Sequence, residues 1–267
     1  MDADRFEEMA RDPRFISGVY NYCDRWCERC PFTARCMNYA MGQEEEAGNS
    51  RSRDIENEAF WDKLHETFEA TMERVEEQIE EMDFDLDEEE LEEGIREQEE
   101  IHEAAQSQSC SRTARRYVDL VDNWLTLNEG LLDNQSGKAE SLPHTGSPGV
   151  EPGDDAAGIR DCLEIIRWYQ PQIWVKLCRA ASGAIRARLE GIESFQEDAD
   201  GSAKVALIGI ERSIAAWGTL LNRFPDHEDA IFSLATLKRL LRQVEAAFPN
   251  ARAFRRPGFD AEDNHTT

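Results

Sequence analysis

Lysine is scarce in this chain of 267 residues. Five lysines stand beside 25 arginines, and 56 acidic residues outweigh both, giving a net charge of −26. A surface of that sign repels phosphate backbones and anionic lipid, so neither nucleic acid nor a membrane is expected as a partner. No stretch approaches the roughly 18–20 apolar residues that a membrane-spanning helix requires. The opening Met1-Asp2-Ala3-Asp4-Arg5-Phe6 has no apolar h-region, which points away from secretion and towards a reducing, cytoplasmic compartment. Alternating and β-branched runs are also lacking, so no sheet is expected. Neither a glycine-rich phosphate loop nor a Ser-His-Asp order stands out, so the sequence names no substrate and leaves catalysis open.

Against these absences stands one dense block. Cys23, Cys27, Cys30 and Cys36 fall within fourteen residues, spaced C-x3-C-x2-C-x5-C. In a reducing compartment such clustered thiols are expected as metal ligands rather than as a pair of disulfides. A ligand cysteine is a thiolate, and Arg25, Arg29 and Arg35 lower the cost of gathering four such charges. The spacing favours a [4Fe–4S] cluster, because closely spaced cysteines grip such cubes, and Cys30-Pro31 resembles the proline after a cluster cysteine in bacterial ferredoxins. Tetrahedral Zn²⁺ is the rival. Four-cysteine zinc sites commonly pair two C-x2-C knuckles, whereas only Cys27 and Cys30 make one here.

The eight residues from Cys23 to Cys30, C-x3-C-x2-C, also resemble the radical S-adenosylmethionine motif. That resemblance implies a partial β/α barrel and an iron position left open for the cofactor. The chain shows no β/α alternation, and Cys36 would occupy the open position.

A second metal set is weaker. Asp62, His65 and Glu69 share one helical face, and Glu99 and His102 form an E-x-x-H pair on the next helix. Ferritin-like di-iron bundles use two such pairs with further glutamates, so His65, Glu69, Glu99 and His102 make an incomplete set. His144, His227 and His265 fall in linker, cap and tail. Arg160, Asp161, Glu164, Arg167 and Lys176 are expected on a solvated face, with Lys176 snorkelling between Val175 and Leu177.

The predicted fold is all-α: a multi-helix bundle behind a short N-terminal cysteine-rich segment. Its parts are a metal-binding segment over 1–42, an acidic helical half over 54–132, a disordered linker over 133–155, a second helical half over 156–249 packing on the first, and a tail over 250–267. Residues 54–103 carry 23 acidic and three basic residues. Leu64, Phe68, Met72, Val75, Ile79 and Met82 form one apolar stripe, and Tyr117, Val121 and Trp124 another. A break is expected in Ser107–Ser111, a kink or restart at Pro171, and a helix-starting turn at Asp198–Ser202. Three functions fit this reading: an iron–sulfur protein for electron transfer, redox sensing or structure; a zinc-stapled interaction module; and a helical-bundle enzyme with a structural cysteine site. A redox or protein partner is expected for the first two. Oligomeric state is left open.

Overall fold

The computed structural model describes residues 8–48, 61–62, 64–65, 68–69, 71–75, 88–128, 152–225 and 228–260. Among them every regular element is helical, as the missing strand patterns predict. The β/α architecture implied by the S-adenosylmethionine resemblance is therefore not found there. The helices are α1 (Met37–Gly48), α2 (Glu88–Ser107), α3 (Ser109–Leu127), α4 (Pro152–Glu190), α5 (Glu193–Arg223) and α6 (Glu228–Ala247). Most of the expected 133–155 linker lies outside the described residues, although α4 already begins at Pro152.

The chain divides into two compact units. One comprises residues 1–21 and 27–98. The other comprises residues 22–26 and 99–267, so the boundary falls once inside the cysteine block and once inside α2.

In the larger unit, α3 packs on α4 and α6, and α5 packs on the same two helices, which closes a four-helix ring. The hydrophobic effect dictates this arrangement, since each helix has an apolar stripe that needs a facing partner. The stripes supply Tyr117, Val121 and Trp124 from α3, Ile166, Tyr169, Ile173 and Leu177 from α4, Leu207, Ile210 and Trp217 from α5, and Leu237, Leu240 and Val244 from α6. At the centre, the Trp217 indole N–H donates to the Tyr117 hydroxyl at 3.0 Å, and Trp124 meets Trp217 edge to face at 4.9 Å. The two aromatics thus bury their bodies and satisfy their polar ends together.

Helices α4 and α5 form a hairpin. Gly191 ends α4 in the left-handed region (φ 70°), where its N–H caps the Ala187 carbonyl at 3.0 Å. The break expected near residues 107–111 occurs at Gln108, which separates α2 from α3. Two other expected breaks are absent, the restart at Pro171 and the turn at Asp198–Ser202. Helix α4 runs through Pro171 without ending, because Ile166 and Tyr169 before it and Ile173 and Leu177 after it are buried in one core. Helix α5 runs through Asp198–Ser202, which the sequence marks as a turn.

In the smaller unit, residues 8–11 are helical and two 3₁₀ turns follow, Cys27–Arg29 and Thr33–Arg35. The Ile16 amide donates to the Arg35 carbonyl at 3.0 Å, just before Cys36. Met9, Val19 and Met37 are the buried apolar residues among those described in this unit. Trp61, Leu64, Phe68, Met72 and Val75 are exposed along one helical stripe. Ile79 and Met82, which continue that stripe in the sequence, lie outside the described residues.

Candidate functional site

Residues 22–26 are short, yet side chains pin them at both ends along α4 and α5. At the first end, the Tyr22 hydroxyl donates to Asp198 at 3.1 Å. Arg179 grips the same carboxylate with two donors at 2.5 and 3.0 Å, the fork geometry that makes arginine–carboxylate pairs strong. The Tyr22 ring packs edge to face on Phe254 at 4.6 Å, directly over Gly201. A Cβ at residue 201 would stand 2.5 Å from the Tyr22 ring and 2.8 Å from Phe254, so only glycine leaves room. Asp198 and Gly201, which look like turn residues, are instead helix positions chosen for what they receive.

At the other end, the Asp24 carboxylate accepts from Arg212 at 2.8 Å and from the Tyr169 hydroxyl, while its backbone carbonyl accepts the Trp168 indole N–H at 3.0 Å. Trp26 stacks on Trp168 at 5.1 Å and meets Tyr169 edge-on at 5.9 Å. Arg212 also lies over the Tyr169 ring, 5.5 Å from its centre. Burial first, and then the Asp24 carboxylate, push the Tyr169 phenol above its usual range, so this hydroxyl stays a donor.

Between these anchors lies Cys23. Burial raises its thiol above the usual range, opposed by the Arg25 backbone amide and the Lys176 charge. Arg25 is in the left-handed region (φ 55°), the one non-glycine residue there among those described. Such a backbone conformation costs on the order of 1 kcal/mol and persists where its surroundings impose it. Here the Arg25 backbone amide acts on the Cys23 thiol and lowers it. Cys30 has a similar arrangement, with the Phe32 amide donating to its Sγ at 3.4 Å.

In the smaller unit Cys27 opens a 3₁₀ turn and its carbonyl accepts the Cys30 amide at 3.1 Å. Cys36 caps the second turn and leads into α1. All four cysteines are half-buried, and no disulfide joins the described cysteines. Among the described residues no group of three or more His, Cys, Asp or Glu side chains is placed to hold a metal ion. His65 and Glu69 are exposed in the smaller unit, and Glu99 and His102 are exposed on α2, where His102 contacts Gln106. Arg160, Asp161, Glu164 and Arg167 are exposed, as expected of a solvated face. Lys176 is not: it is only 7% exposed, its ammonium held low by burial and by Arg179 and raised by Cys23.

The sequence flagged the cysteines and missed their anchors. Asp24, Tyr169, Asp198 and Arg212 look like ordinary residues because their partners lie far along the chain. Comparison with protein-family models, curated proteins and solved structures finds no match for this chain.

Proposed function

We propose that the chain holds a metal centre through Cys23, Cys27, Cys30 and Cys36, a [4Fe–4S] cluster in preference to Zn²⁺, and serves in electron transfer or redox sensing. The observation that carries this reading is the Phe32 amide that donates to the Cys30 sulfur at 3.4 Å, together with a Cys23 thiol that the Arg25 backbone amide lowers. Amide donors aimed at cysteine sulfur stabilise thiolate and tune the potential of iron clusters. They contribute little to an uncharged thiol, which is a weak acceptor. The four sulfurs are expected to converge only on loading, since thiolates repel one another until a cation joins them.

The test is elemental analysis after anaerobic purification. Iron and acid-labile sulfide near four each per chain, with the broad visible absorption of thiolate-bound iron, support the cluster. One zinc per chain without colour favours a second reading, a zinc-stapled interaction module. That alternative draws on the exposed stripe of Leu64, Phe68, Met72 and Val75, an apolar face that suits a protein partner. Neither metal at any stoichiometry would overturn both.

A further inference from the structure

Charge is not spread evenly over the larger unit. Arg112, Arg115 and Arg116 on α3 fall in a five-residue stretch without a carboxylate, and so do Lys238, Arg239 and Arg242 on α6. In a chain of net charge −26 these are places where the general acidity gives way. The two helices pack on each other, and a groove of about 450 Å³ opens beside their contact. Its walls carry Thr113, Arg116, Leu120 and Asn123 from α3, and Thr236 and Arg239 from α6. One guanidinium thus reaches the groove from each wall.

Among the described residues neither Arg116 nor Arg239 makes an ion pair or a side-chain hydrogen bond. Elsewhere in the same unit Arg179, Arg212, Arg252 and Arg256 each meet a carboxylate. Asp119 also borders the groove, but Arg115 pairs with it at 3.2 Å, so the groove keeps a positive balance. The Thr113 hydroxyl already donates to the Ser109 carbonyl at 2.9 Å and shapes the wall without a proton to give. Asn123 and Thr236 keep their donors. Leu120 is the one apolar side chain of the lining, so the groove suits a body with hydroxyls better than a greasy one.

We infer that this groove binds a small phosphate monoester with a hydroxylated body, such as a sugar or polyol phosphate. A phosphate monoester carries close to two negative charges at neutral pH and presents three oxygens, so guanidinium forks from two walls can each take their own edge. Arg116 and Asn123 stand seven residues apart along α3, about 10 Å, which leaves the neutral amide for the ligand's hydroxyls. The volume lies within the roughly 300–1,000 Å³ of metabolite pockets. The acidity of the whole chain does not forbid the site, because exposed charges more than about 8 Å away are largely screened at physiological salt. It does disfavour a long polyanion, which would overrun the groove onto acidic surface. The inference is independent of the cysteine reading.

The experiment is calorimetric titration of the full-length protein at fixed ionic strength with glycerol 3-phosphate, inorganic phosphate and succinate. Wild type should bind glycerol 3-phosphate saturably, and more tightly than either of the others. Arg116→Gln and Arg239→Gln should each weaken it about tenfold or more, as the loss of a hydrogen bond to a charged group does. Arg239→Lys keeps the charge without the fork and should fall between. Arg242→Gln removes the same charge from α6 at a residue outside the lining, and should change affinity by less than about twofold. Asn123→Ala should weaken glycerol 3-phosphate and leave inorganic phosphate unchanged. All these side chains are exposed, and circular dichroism verifies that each variant folds. Wild type that binds no glycerol 3-phosphate would overturn the inference. So would an Arg242→Gln loss as large as that of Arg116→Gln, which marks bulk charge rather than a site. Succinate bound as tightly as glycerol 3-phosphate would overturn the assignment to a phosphate monoester.

Discussion

Trp61, Leu64, Phe68, Met72 and Val75 step along a helix much as Tyr117, Val121 and Trp124 do, yet the first set is exposed and the second buried. Phe68 is 62% exposed, whereas Tyr117 is fully buried. Periodicity identifies an apolar face in both cases, but it does not supply a partner for it. Two physical differences separate the stripes. The stripe of α3 carries a polar handle, the Tyr117 hydroxyl, that finds Trp217 across the bundle. The other lies in the most acidic part of the chain, where 23 carboxylates among residues 54–103 repel any acidic surface brought near it. A stripe with a matched partner becomes core. One wrapped in like charge stays available to something basic.

The largest expected effect is on the buried side of this comparison. Trp217→Ala should cost about 3–5 kcal/mol, as large core truncations do. For a domain of this size that lowers the melting temperature by roughly 6–20 °C. Differential scanning calorimetry checks it, and a loss as small as a surface change would mean that α3 and α5 do not share a core.

A pH scan sharpens the same point. Burial pushes the Tyr117 phenol up to about 12, against the opposing hydrogen bond from Trp217. Because the folded value lies above the unfolded value of 10.0, the stabilisation is complete below pH 10 and is lost as pH climbs towards 12. At about 1.4 kcal/mol per unit this comes to roughly 3 kcal/mol. Tyr117→Phe should flatten the alkaline slope of stability by one proton, leaving the contributions of Tyr22 and Tyr169 among others. An unchanged slope would show that Tyr117 titrates normally.

Gly201→Ala comes next, at about 1–3 kcal/mol for overpacking against Tyr22 and Phe254. Its distinguishing sign is local: release of residues 22–26 should change Trp26 fluorescence before the bundle melts. Smallest are the changes on the exposed side. Phe68→Ala should shift stability by no more than about 0.5 kcal/mol. Gly94→Ala, where a Cβ meets nothing within 4 Å, should add about 0.4–1 kcal/mol of helix stability to α2, read by circular dichroism, without moving the main transition. A large loss from Phe68→Ala would show that its stripe is already covered.

Legibility in the sequence follows range. The helical stripes at Tyr117, Val121 and Trp124, and at Leu163, Ile166 and Tyr169, could be read because neighbours three and four apart define them. So could the break at Gln108, since a run of serines favours non-helical backbone. Asp198, Gly201 and Ser202 misled because local propensity favours a turn, while Arg179 and Tyr22 reward a helix. The restart that Pro171 suggests does not occur, because burial on both sides outweighs one missing amide donor. The cysteines announced themselves by spacing alone. Their anchors did not, since nothing near Asp24 in the chain anticipates Tyr169 or Arg212.

That separation also sets a timetable for synthesis. Asp24 waits for partners 145 and 188 residues downstream. At about 5–20 residues per second, the ribosome takes roughly 10–40 s to deliver Arg212 after Asp24 has been made. Throughout that interval Cys23 and the thiols beside it belong to a nascent chain whose clamp does not yet exist, open to any passing metal, oxidant or carrier. Loading the proposed centre during translation and loading it after release would therefore meet two different chemical objects, one a loose peptide and the other a segment already fastened to its helices.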